Sequence, residues 1–183
     1  MQRYRLVFSG SGGQGVITAA IILADAAVVQ ENLNAVQSQS YGAAARGGAT
    51  RSDIIISSDA IDFPKVIQPN GLVCLTQESY SKFQHIIRPG GLLITENRTV
   101  ETSRKVDANQ IELPIYETVM EKIGKPIVFN ICMLGVVIAL TRLVKPESIM
   151  ATLEDRIPAS FLEMNQTALS LGMELAQPFV PGQ

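Results

Sequence analysis

Tyr4 to Gln30 read YRLVFSGSGGQGVITAAIILADAAVVQ, and the fold follows from how that stretch divides. Tyr4 to Ser9, rich in Leu, Val and Phe, predicts a strand. Val16 to Gln30 carries Ile, Ala and Leu throughout, which predicts a helix of good formers buried over most of its surface. Between them Gly10-Ser11-Gly12-Gly13-Gln14-Gly15 fits G-x-G-x-x-G in the setting that gives the pattern meaning, a strand before and a helix after. Gly10 is expected to let the chain turn sharply out of the strand. Gly12 leaves room for a phosphate oxygen at the backbone, and Gly15 lets the helix pack close to the sheet. Free N–H groups at the helix start, at its positive dipole end, would then form an anion site. The Ser9 and Ser11 hydroxyls would be further donors. The plain alternative is a tight turn that binds nothing.

Working outward, Asn32-Leu33-Asn34 breaks the helix and Ala35 to Ser38 predicts a second strand. Ala49 to Ser57 predicts a third, with Ile54-Ile55-Ile56 fully buried. Gly71 to Thr76 and Gly90 to Glu96 repeat one theme, glycine then an apolar run then a polar end, with a helix expected over Glu78 to Arg88. Further helices are expected at Pro114 to Ile123, Ile127 to Val144, Glu147 to Arg156 and Ala159 to Ala176. Such alternation predicts an α/β domain: a mostly parallel sheet with helices on both faces and a helical C-terminal third. Residues 1–183 read as one domain, and 177–183 as a tail that is loose or docks on a partner.

Composition narrows the function. Fifteen Lys+Arg against seventeen Asp+Glu leave no basic excess for neutralising phosphates, and with no Trp there is little for bases to stack on, so nucleic-acid binding is not expected. Cys74 and Cys132 lie far apart in apolar runs, too few for a cluster or a Cys₄ zinc site. They read as small buried hydrophobes in a reducing compartment. No signal peptide is visible, so a cytoplasmic location is expected. The run Ile127 to Val144 is interrupted by Asn130, Gly135, Thr141 and Arg142, so it reads as a buried helix rather than a membrane span. Part of its apolar surplus is expected at a subunit interface. His85 is read as solvated or capping, Asp59 and Asp62 as turn residues, and Met133, Met150, Met164 and Met173 as core filler or interface.

A dinucleotide fold wants an acid at the end of the second strand for the ribose hydroxyls. Gln37, Ser38 and Gln39 hold that place, and Glu31 falls before the strand. The second unusual stretch is Gln37 to Gly48, small and polar with a lone Tyr41 and a lone Arg46. Gly42, Gly47 and Gly48 permit a tight backbone, and Arg46, joined by Arg51, would grip a phosphate or carboxylate. Because both segments follow strands, they are expected to face one crevice. A surface loop with Arg46 paired to a carboxylate is the alternative.

SGSGGQGV (Ser9 to Val16) followed by QSYGAAARGG (Gln39 to Gly48) resembles the gamma subunit of 2-oxoacid:ferredoxin oxidoreductases and the matching domain of single-chain pyruvate:ferredoxin oxidoreductase. The resemblance spans nearly the whole chain and implies a Rossmann-like three-layer α/β/α sandwich. It implies a subunit that does no catalysis alone and helps hold coenzyme A at a subunit junction. Thiamine diphosphate and the iron–sulfur clusters would lie on companion subunits, the partners being alpha and beta chains and a ferredoxin-like delta chain, with ferredoxin as the electron acceptor. Carried onto this sequence, Gly10, Gly12, Gly13, Gln14 and Gly15 form the first loop, and Ser40, Tyr41, Gly42, Arg46, Gly47 and Gly48 the second. 2-Oxoglutarate is favoured over pyruvate and branched-chain substrates by the resemblance alone. The other readings are a free-standing NAD(P)-binding oxidoreductase and an interaction module whose glycine loop is purely structural.

Overall fold

The computed structural model describes residues 3–40 and 48–180. β1 (Tyr4–Gly10) runs into the glycine turn and α1 (Val16–Asp25) leaves it. α1 then widens into a turn of π-helix, Ala26–Gln30, so the helical stretch expected there is present but not uniform. The chain continues through β2 (Asn34–Ser40), β3 (Thr50–Ser57), β4 (Gly71–Cys74), α2 (Gln77–Phe83), β5 (Gly91–Glu96) and β6 (Ala108–Leu113). It ends with α3 (Ile115–Lys122), α4 (Phe129–Thr141), α5 (Pro146–Glu154) and α6 (Leu162–Ala176). β6 was not expected from the sequence. Gln177–Phe179, expected as loose tail, form a 3₁₀ turn.

Local chemistry sets several boundaries. α2 opens on a capping box in which Thr76 and Ser79 each satisfy the other's backbone N–H. α3 has no local side-chain cap. The Glu96 carboxylate reaches it from the end of β5 instead, accepting from the Tyr116 N–H at 2.9 Å. α5 begins with Pro146 in its first turn, and Glu31 accepts from the Lys145 N–H at 3.0 Å and the Ser148 hydroxyl at 2.6 Å.

The sheet order is β2-β3-β1-β4-β5-β6. β3 runs antiparallel to both β1 and β2, while β1, β4, β5 and β6 pair in parallel. The sheet is thus mostly parallel with one reversed strand. A parallel crossover needs about a dozen residues or more, and only residues 41–49 link β2 to β3. Helices α1 and α3–α6 cover one face over Leu6, Phe8, Ile54, Ile56, Val73 and Ile94. On the other face α2 and irregular segments cover Val7, Ile55, Leu72, Leu93, Tyr80 and Phe83. Covering both faces is why Ile54, Ile55 and Ile56 are all buried.

α4 has every residue from Phe129 to Ile138 buried within this chain, so most of the apolar surplus of Ile127–Val144 is taken up by the domain's own packing, while Ile127 stays exposed. The closest approach is to α6. A Cβ on Gly172 would overlap the Cys132 carbonyl of α4, and one on Gly135 the Leu169 carbonyl of α6. Among the described residues no helix is long and apolar enough to cross a membrane.

Candidate functional site: a glycine turn at the carboxyl edge of the sheet

β1 ends, and β3 begins, on the edge of the sheet where the parallel strands finish. Gly10 lies opposite Thr50, and Ser40 lies opposite Arg51. The glycine turn and both ends of the 41–49 connection therefore share one edge, two strand positions apart. Because both segments follow strands they were expected to face one crevice; the register places the described ends of both on this edge. Tyr41, Gly42, Arg46 and Gly47 lie outside the described residues. Of their neighbours, Ser40 is exposed and Gly48 half-buried. The Ala49 N–H donates to the Glu78 carboxylate of α2 at 3.1 Å, which fixes where the segment rejoins the sheet.

Within the turn the glycines have three different reasons to be glycine. Gly10 is a strand residue, and a Cβ there would overlap the Gln14 Oε1 and come within 3.2 Å of the Leu75 side chain. Its role is to make room, and it is not the sharp bend the sequence reading gave it. Gly15 has φ 70° and caps α1; a Cβ on it would sit 2.8 Å from the Asn130 amide. The close partner is thus α4, not the sheet. Gly13 has φ 87°. Gly12 has neither demand: among the described residues no atom lies within 4 Å of where its Cβ would be. It and Gly13 are exposed, so the space a side chain would fill is left open above the backbone.

Gln14 straps this turn. Its Oε1 accepts from the Ser11 N–H at 2.7 Å, and its Nε2 donates to the Leu75 carbonyl at 3.4 Å. The Gln14 N–H donates to the Ser11 carbonyl at 3.3 Å, so two loop N–H donors are spent internally. The start of α1 is different: no side chain caps it and no acid sits in its first turn. Among the described residues, then, no cap or first-turn acid neutralises its positive end, the arrangement that favours an anion. Asn130 supports it from below, donating from Nδ2 to the Gly15 carbonyl at 3.4 Å. Beside it, an apolar cleft of about 240 Å³ is lined by Thr18, Ile22, Asn130, Ile131 and Phe161.

Two expected donors are engaged elsewhere. Ser9 is fully buried and its hydroxyl donates to the Thr50 carbonyl at 2.8 Å, tying β1 to β3 instead of facing the turn. Arg51 does not join Arg46 in a phosphate grip. Its guanidinium forks onto Asp53, donates to the Val66 carbonyl at 2.8 Å and lies 5.4 Å from the Phe83 ring centroid. Ser11 is half-buried in the turn. Glu31 is committed to α5, and its carboxyl is held below the usual carboxylate range by the Ser148 hydroxyl first and the Lys145 N–H second. His85 is exposed on the 3₁₀ turn after α2, far along the chain from this edge.

Sequence reasoning missed Gln14 as a strap, Asn130 and Glu78. Asn130 carried a signal: a polar amide in the most apolar helix must find a partner when buried, and it is 8% exposed. Burial also pushes the thiols of Cys74 and Cys132 up to about 12. Both stay neutral and poor nucleophiles at physiological pH. Among the described residues no cluster of His, Cys, Asp and Glu is arranged to hold a metal.

The sequence profile of the pyruvate ferredoxin/flavodoxin oxidoreductase family matches residues 5–175. A 2-oxoglutarate synthase subunit KorC from Methanocaldococcus jannaschii is 43% identical over 96% of this chain and 95% of its own length. The solved gamma subunit of a keto/oxoacid ferredoxin oxidoreductase from Geobacter sulfurreducens is 37% identical, covering 97% of this chain and 98% of its own, with a TM-score of 0.88. The 2-oxoglutarate:ferredoxin oxidoreductase from Magnetococcus marinus has the same fold at 17% identity and a TM-score of 0.89. There all of this chain corresponds to 32% of a longer one. Matched along nearly its whole length, the protein belongs to the pyruvate ferredoxin/flavodoxin oxidoreductase family, as one of its gamma subunits.

Proposed function

We propose that the chain is a non-catalytic gamma subunit that docks on thiamine-diphosphate- and cluster-bearing alpha and beta companions and helps position coenzyme A, with 2-oxoglutarate as the 2-oxoacid of the assembled enzyme. The observation that carries this is the open space over Gly12 beside an α1 start that no side chain caps. A phosphate group of the coenzyme can approach the backbone there as closely as the missing Cβ allows. When bound, coenzyme A supplies the thiol that accepts the acyl group; this chain supplies amides that orient its anionic end. The Magnetococcus marinus relative was solved with 2-oxoglutarate, coenzyme A and succinyl-CoA bound, and the KorC name of the methanogen relative favours 2-oxoglutarate. An NAD(P) reading has less support, because β2 ends in Gln39 and Ser40, the acid beside that end, Asp53 opposite Ser38, is paired with Arg51, and Glu31 is committed to α5.

Gly12→Val in the assembled enzyme tests it. A Cβ at this position has no described neighbour within 4 Å, so the complex should form and decarboxylate normally while the KM for coenzyme A rises about tenfold or more. An unchanged KM in a correctly assembled variant refutes the coenzyme role and leaves docking alone. Tight NAD(H) binding by the isolated chain, with activity, would replace the proposal.

A further inference from the structure

We infer that a cation-lined cleft at the opposite edge of the sheet is the docking surface for an acidic segment of a companion polypeptide. The inference rests on the reading that this chain works inside a complex. The cleft has a volume of about 440 Å³ and is lined by Arg5, Lys65 and Arg88 together with Asn70, Phe63 and Ile67. Its described lining includes no acidic residue, and none of the three cations joins a salt bridge among the described residues. In a chain of net charge −2, three unpaired cations around one cleft reverse the overall charge locally.

The backbone holds this arrangement in place. The Arg5 N–H donates to the Asn70 side-chain oxygen at 2.9 Å, and the Asn70 N–H returns to the Arg5 carbonyl at 2.8 Å. The Arg88 N–H donates to the Pro69 carbonyl at 3.2 Å. Strand β1, the Ser58–Asn70 segment and the end of the α2 connection are therefore pinned together where the three cations meet. Lys65 also lines a second cleft of about 410 Å³ with Lys82 and the Asp53-paired Arg51, so cationic side chains continue beyond it.

The apolar members decide the class of occupant. Phe63 is 55% exposed and Ile67 65% exposed. A free phosphate would satisfy the cations and leave both side chains in water. An acidic segment carrying an apolar side chain satisfies both, and aromatic residues beside arginine are the composition of interface centres. Complementary charge of this kind sets on-rate and salt dependence.

The test co-expresses the chain with the thiamine- and cluster-bearing companion chains and measures assembly at low and high salt, for wild type, Lys65→Glu/Arg88→Glu and Phe63→Ala. Lys65, Arg88 and Phe63 are all exposed, so thermal midpoints should match wild type and report any misfolding. Charge reversal should weaken assembly about tenfold or more at low salt, the gap closing as salt rises. Phe63→Ala should weaken it with little salt dependence. If wild type and charge-reversed chain assemble within about twofold of each other, this docking inference is overturned and membership of the complex stands. If the charge-reversed chain loses only pyrophosphate binding, the cleft is a small-anion site and the inference is again overturned. If wild type does not assemble at all, both this inference and the proposed function fail together.

Discussion

Replacing the turn's glycines by alanine one at a time separates what the fold demands there from what a ligand demands. Among the described residues Gly12 has no neighbour within 4 Å of a new Cβ, and its backbone is not left-handed. Gly12→Ala should therefore be neutral or stabilise by about 0.4–1 kcal/mol, through a less flexible unfolded chain. Gly13 sits at φ 87° in open space, so Gly13→Ala should cost only the left-handed strain, about 1–2 kcal/mol. Gly15 carries that strain at φ 70° and also places a Cβ 2.8 Å from the Asn130 amide. Overpacking against a buried side chain adds about 1–3 kcal/mol, for a total of about 2–5 kcal/mol. In a chain of this size each kcal/mol moves the midpoint about 2–4 °C, so Gly15→Ala should lower Tm by about 4–20 °C. Urea unfolding of the three variants, cross-checked by calorimetry, reads the series directly. The reasoning is refuted if Gly12→Ala costs as much as Gly15→Ala, or if Gly15→Ala falls within about 0.5 kcal/mol of wild type. The order matters for function because it marks Gly12 as the position where a larger residue can damage the proposed coenzyme site without touching the fold.

Two further outcomes follow from buried contacts. Gly172→Ala should destabilise by about 1–3 kcal/mol, although alanine is the better helix former by about 1 kcal/mol, because its Cβ would press on the Cys132 backbone carbonyl, which cannot swing aside. Ser170→Ala on the exposed face of α6 is the control that should not lose stability, and a Gly172→Ala chain as stable as that control would refute the close crossing. The Glu96 carboxyl is raised above its ordinary value by burial, against N–H donors from Tyr116, Arg98 and Ile115 and the Arg98 charge. The folded chain therefore holds this proton where the unfolded chain has lost it, so its contribution to stability is full below pH about 4.5 and declines as pH rises through the folded value. Urea midpoints of wild type relative to Glu96→Gln should fall with pH above that point; a relative rise would refute the assignment.

How much of this was legible in the sequence depends on where each residue lies in the sheet. β1, the glycine turn, α1, β4 and β5 could be read because a strand buried on both faces is a continuous apolar run and the turn between strand and helix is written in glycine. β6 escaped because it is an edge strand: of Ala108–Leu113 only Ile111 and Leu113 are buried, and the alternation spans only Gln110-Ile111-Glu112-Leu113, with Asn109 off the pattern. β2, the other edge, was read two residues short at its C-terminal end because Gln39 and Ser40 are held by pairing with β3 and not by burial. The direction of β3 was invisible in Ile54-Ile55-Ile56, which reads the same either way. It was nonetheless encoded in the brevity of the 41–49 link.

The site divides along the same line. Motif spacing located the turn, but the separate reasons for its glycines depend on partners far along the chain: Leu75 for Gly10, Asn130 for Gly15, and nothing at all for Gly12. A glycine required by a neighbour and a glycine that leaves room for a ligand are identical in a sequence, and only the distances tell them apart. Gly12 is where that distinction bears on function. Among the described residues its conformation and surroundings would accept a side chain. Under the proposed coenzyme role, what the missing side chain supplies is access to the backbone beside the α1 start, which is a demand a bound anion makes.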